Sequence, residues 1–119
     1  MKYWNGTHWI EKTSSLDGDN IITDATTARQ LSLVDINKHL RFTTAGAITI
    51  TIPLDATDDL PKGFGCENEQ AGVGIITYVP EGPVVIHSKD AKLSSNGQYG
   101  SSYVKKIGPN EWRIVGDLA

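Results

Sequence analysis

The chain has 119 residues, a net charge of −3 at pH 7 and a pI near 5.5. That length holds one domain with a real core and excludes two comfortable ones. The basic residues are scattered, with Lys105-Lys106 the one adjacent pair, so no nucleic-acid partner is expected. No apolar run approaches transmembrane length, so no membrane insertion is expected either. Cys66 is alone, which excludes a disulfide framework or a thiolate metal cage within one chain. The N-terminus lacks the basic and apolar regions of a secretory signal peptide.

The chain opens "MKYWNGTHWIE". Asn5-Gly6 between aromatic residues is the strongest short-range hairpin signal, because a type I′ turn needs positive φ at both central positions. A two-residue turn there sets Tyr3 opposite His8 and Lys2 opposite Trp9. Trp4 and Trp9 then share one face as diagonal neighbours, with Tyr3, His8 and Ile10 on the other. A lone hairpin is marginal in water, so it must rest on its own domain, a second copy or a partner. The sequon at residues 5–7 is expected to be a chance match, since no secretory signal is expected. "KTSSLDGDN" follows, polar and turn-rich, so the hairpin reads as an appendage on a short loop.

Residues 24–33 form the one candidate helix, capped by Asp24 and weakened by its threonines and serine, and a single turn fits 35–38. Strands are predicted at 40–43, 48–52, 74–79, 83–87, 102–107 and 111–115. The clearest is Ile48-Thr49-Ile50-Thr51-Ile52, a strict alternation ended by Pro53. Gly, Pro, Asn and Asp clusters separate the strands at 58–65, 80–82, 94–100 and 108–110. Such spacing predicts an all-β fold of about seven to nine strands: a single antiparallel β-sandwich or flattened barrel, jelly-roll-like, with an N-terminal β-hairpin appendage. The hairpin takes residues 1–14 and the sandwich domain 15–119.

Catalytic constellations are sparse. His8, His39 and His87 lack metal-ligand spacing and read as surface or loop histidines. No serine sits in a G-x-S-x-G elbow. Gly72-Val73-Gly74 lacks the third glycine and the helix of a nucleotide loop. Asp17-Gly18-Asp19-Asn20 resembles the start of a calcium loop, but Ala28 stands where a bidentate glutamate is needed, so an Asx-rich turn is favoured. Asp58-Asp59 reads as a solvated loop pair and Cys66 as a small buried hydrophobe. The expectation is no catalytic residue, no metal, no cofactor and no enzyme activity. Tyr3, Trp4, Trp9, Tyr78, Tyr99, Tyr103 and Trp112 admit two readings, a sugar-stacking platform or core and subunit interface. Trp112 is assigned to the core. Tyr3, Trp4, His8, Trp9 and Ile10 are assigned to a docking interface, with glycan contact at Trp4, Trp9 and Tyr99 as the alternative.

Further residues carry a likeness. Leu40-Arg41-Phe42-Thr43 follows a leucine-rich stretch, "AITITIP" spans 47–53, and Pro61-Lys62-Gly63 lies in the next loop. Glu69-Gln70-Ala71-Gly72-Val73-Gly74, Gly97-Gln98-Tyr99 and a closing "KIGPNEWRIVGDLA" complete the set. From Leu31 onward this pattern resembles a small β domain of tailed-bacteriophage structural proteins, found alone or at the C-terminal end of longer fibre and tail proteins. "YWNGTHW" also resembles hairpin segments of phage fibre proteins. Cys66-Glu67-Asn68 departs from the pattern, standing where an uninterrupted apolar strand is expected.

The resemblance implies a non-enzymatic structural protein on a tailed-phage virion surface, made in the host cytoplasm: a capsid decoration (cement) protein or short head fibre. A chain holding only hairpin and domain is expected to lack the shaft of a long tail fibre. The partners implied are the major capsid protein or another virion protein, and further copies of the chain, a trimer before a dimer. The alternative is a receptor- or carbohydrate-binding module of a tail fibre, with a host-surface glycan as ligand.

Overall fold

A computed structural model describes residues 20–119 in full, together with the backbone of β1 (Lys2–Trp4) and β2 (Trp9–Glu11). The hairpin is present, with a different register: Trp4 pairs with Trp9, Tyr3 with Ile10 and Lys2 with Glu11. The connection is therefore residues 5–8 rather than the two-residue Asn5-Gly6 turn. His8 and the side chains of the hairpin lie outside the described residues, as does the Asp17–Asp19 turn.

The body contains β3 (Ile21–Asp24), β4 (Ala28–Gln30), β5 (His39–Phe42), β6 (Ile48–Ile52), β7 (Gly65–Gln70) and β8 (Ile76–Pro80). It ends with β9 (Val85–Ser88), β10 (Ser101–Gly108) and β11 (Glu111–Gly116). The all-β class holds. The antiparallel, jelly-roll-like arrangement does not: β3–β5, β5–β7, β4–β6, β6–β8 and β9–β11 pair in parallel. β7–β10 and β10–β11 are antiparallel. The sheet orders are β3-β5-β7-β10-β11-β9 and β4-β6-β8.

Three successive strand pairs therefore wind as three stacked coils, one strand of each pair in each sheet. The reason lies at the corners. Corner segments bond to the corner of the neighbouring coil: Thr43 N–H to Asp24 O at 3.0 Å, Ala71 N–H to Phe42 O at 2.9 Å, Gly74 N–H to Thr44 O at 3.1 Å. The chain changes sheet there instead of reversing. Glycine is required at these corners because a Cβ on Gly72 would meet the Thr43 and Thr44 carbonyls, and one on Gly74 would fall on the Gly46 carbonyl.

The expected helix at 24–33 is replaced by the end of β3, a turn, β4 and a short 3-10 turn at Leu33–Asp35. The Asp24 carboxylate takes the Thr26 N–H at 2.7 Å and its hydroxyl at 2.6 Å, closing an Asx-type turn that competes with helix. Arg29 then reaches inward to Asp24 and Asp35.

One buried cluster draws on both sheets: Leu40, Phe42, Cys66 and Val104 from one, Ile48, Ile50, Ile52 and Ile76 from the other. Trp112 is fully buried, as expected, and meets Phe64 edge-on, centroids 5.6 Å apart. β7 is a strand despite its polar sequence because its inward polar groups find partners. Gln70 Oε1 accepts the Ser95 hydroxyl at 2.6 Å, and Ser95 Oγ in turn accepts the Ile76 N–H at 2.9 Å. That seam ties the two sheets together through satisfied groups.

Candidate functional site

The outer face of the six-stranded sheet gathers the chemistry-bearing residues. Alternation along β5, β7, β10 and β11 sends Leu40, Asn68, Val104 and Ile114 inward. It leaves His39, Arg41, Glu67, Glu69, Tyr103, Lys105 and Arg113 on the solvent side. The registers set His39 beside Glu67 and Arg41 beside Glu69, then Glu67 beside Tyr103 and Glu69 beside Ser101. Tyr103 faces Val115 and Lys105 faces Arg113.

The acidic side of this face is a hydrogen-bonded row. His39 Nε2 lies 2.8 Å from Glu69 Oε1, and Arg41 Nε donates to the same oxygen at 3.0 Å. Burial pushes the Glu69 carboxyl up, but its bonds from Arg41 and His39 outweigh this and hold it below its ordinary range. An ionised, doubly bonded carboxylate is an acceptor, not a general acid. The Ser101 hydroxyl donates to Glu67 rather than to His39, so no serine–histidine contact of a hydrolytic triad forms there. His39 and His87 sit in strands, His39 half-buried and His87 on the surface as expected, and His87 pairs with Glu111 at 2.8 Å.

Two other chemically suggestive groups are structural. Lys106 is buried with Asp55 at 2.7 Å, Asp59 at 3.2 Å and the Leu60 carbonyl at 2.6 Å. Burial pushes its ammonium down, yet the two aspartates outweigh it and hold the group above its ordinary value, protonated and without nucleophilic character. Asp59 reaches this lysine from the loop while its side chain stays 80% exposed, so it is a solvated loop residue as expected. Burial pushes the Cys66 thiol up to about 12, which leaves it inert. Among the described residues, no group of three or more His, Cys, Asp or Glu is placed to hold a metal ion.

Of the residues singled out from sequence, Trp4 and Trp9 are register partners, as are Tyr3 and Ile10. Tyr99 is exposed in the turn before β10 at φ +69°, its N–H on the Gln70 carbonyl at 2.6 Å. Sequence reasoning named Tyr103 only as one of seven aromatics, and it missed Glu67 and Ser101 as its neighbours. The alternation of β10 and β11 was the available signal, but parallel pairing of β5 with β7 is not encoded in it.

No protein-family model matches the chain, no curated protein matches it, and no solved structure matches it.

Proposed function

We propose that this chain is a non-enzymatic structural protein of a tailed-phage virion surface, a capsid decoration protein or short head fibre. The body carries the fold, and the hairpin at residues 1–14, with Tyr3, Trp4, His8, Trp9 and Ile10, docks it to the major capsid protein or another virion protein. Further copies of the chain join it, as a trimer before a dimer.

The observation that supports this reading is where the phage-like motifs fall. Leu40 and Phe42 of the "LRFT" segment and Ile48, Ile50 and Ile52 of "AITITIP" are core residues. Gly72 and Gly74 are corner glycines, and "KIGPNEWRIVGDL" is the closing hairpin with Trp112 in the core. A likeness made of scaffold positions speaks for a shared scaffold role and against a shared reaction.

The test is co-sedimentation. Purified protein is mixed with particles of the encoding phage grown without this gene. The reading predicts saturable pelleting with the particles, lost on removal of residues 1–14. Protein that stays in the supernatant at all concentrations overturns it.

A further inference from the structure

The outer face of β10 and β11 holds groups that the fold does not need there. Tyr103 lies down over β7: a Cβ on Gly65 would fall on the Tyr103 hydroxyl and 2.6 Å from its Cζ. The ring thus covers a sheet glycine and stays 39% exposed. Val115, directly opposite in the ladder and also exposed, extends the step.

This apolar step borders two clefts that share Val115 and Gly116. One, about 270 Å³, is flanked by Glu67 and Ser101. The other, about 320 Å³, is flanked by Lys89, Lys92 and Arg113, with Asp90 among them and Leu118 adding apolar surface. It opens where β9 stops at Ser88 while β11 runs on to Gly116. Its wall is the turn Lys89–Ala91, in which Asp90 and Ala91 hold φ +57° and +56°. Left-handed backbone is costly for residues with a Cβ, and alanine has no polar side chain to offset it.

The charges are also unspent. Lys105 stands directly opposite Arg113, a like-charge pair that weakens a ladder. None of Lys89, Lys92, Lys105 and Arg113 forms an ion pair with another described residue. This local positive excess sits in a chain of net charge −3.

We propose that this face binds a carboxylated saccharide of the uronic- or sialic-acid type. The C–H face of a sugar ring packs on Tyr103 and Val115. Its hydroxyls donate to Glu67 and exchange hydrogen bonds with Ser101. Its carboxylate is taken by Arg113, with Lys89 and Lys92 at the rim. The two flanks together select the class. A free inorganic anion has no use for the apolar step. A single-stranded nucleic acid also stacks on aromatic rings, but its phosphates are repelled by Glu67 beside the platform. This inference stands independently of a virion role.

The test titrates the full-length protein with a short oligogalacturonate and its methyl ester, and with sialyllactose and lactose, read by amide chemical shifts and calorimetry. At least one acidic sugar should shift amides around Tyr103, Arg113 and Val115 and bind about tenfold more tightly than its neutral form. Arg113→Gln and Lys89→Gln should each remove much of that preference, and Tyr103→Ala should weaken both forms. The two exposed cation variants lose no described ion pair, so they decide the matter even if Tyr103→Ala, which uncovers Gly65, fails to fold. Absence of binding, equal affinity for acidic and neutral forms, or an acidic preference untouched by the cation variants overturns the proposal. Tighter binding of oligothymidylate or a glutamate-rich peptide at the same amides also overturns it.

Discussion

Arg29→Met removes the cation that holds the first coil together. Arg29 donates to Asp24 Oδ2 at 2.9 Å and to Asp35 Oδ1, and its own side chain is 21% exposed. Asp35 is fully buried and Asp24 nearly so. Removing one partner of a buried ion pair leaves an uncompensated buried charge, at about 3–5 kcal/mol. Because the guanidinium is partly hydrated, the low end applies, about 3 kcal/mol. For a domain of this size that is a fall of about 12 °C in Tm. The pH dependence carries the sign. Burial pushes the Asp24 carboxyl up, but bonds from Thr26 and Arg29 outweigh it and hold the group below 3.8. That stabilisation is present above the unfolded value and is lost as pH falls through the lower folded value. The variant lacks the Arg29 contribution, so its deficit against the parent should narrow from about pH 7 towards about pH 3. Urea denaturation followed by far-UV circular dichroism reads both quantities. A loss below about 1 kcal/mol at neutral pH, or a deficit that widens in acid, refutes the reasoning.

Gly74→Ala places a methyl on the Gly46 carbonyl and should cost about 1–3 kcal/mol or more, visible as a lower urea midpoint. Trp112→Ala empties the space against Phe64 and should cost about 3–5 kcal/mol by the same assay. Cys66 should resist a thiol reagent at about pH 8 in the native protein and react after denaturation, because it is buried and its thiol is pushed up to about 12. Removal of residues 1–14 should leave the far-UV spectrum of the body and its urea midpoint unchanged while abolishing attachment to particles.

Strands that alternate cleanly were legible in the sequence. Ile48–Ile52 matches its prediction residue for residue, and β10 and β11 differ only at their ends. Trp112 in the core and the turn around Gly108 and Asn110 were legible for the same reason, an apolar anchor beside turn chemistry. Strand direction was not legible, since alternation is identical in parallel and antiparallel ladders. The coils also escape detection as a repeat, because the segments joining them differ in length, residues 31–38 against 53–64. β7 was obscured by Glu67, Asn68, Glu69 and Gln70, which look like a loop until Ser95 and the Glu67–His39 and Glu69–Arg41 contacts are in place. The Tyr103 surface was obscured likewise, because Gly65 and Glu67 meet it only through the non-local pairing of β10 with β7.

A reconstruction of the particle by electron cryomicroscopy addresses the proposed virion role most directly. It should show the three-coil body of residues 20–119 on the outer surface, with the Trp4–Trp9 hairpin in contact with the protein beneath. Surface density that fits no such body, in particles grown with the intact gene, contradicts it.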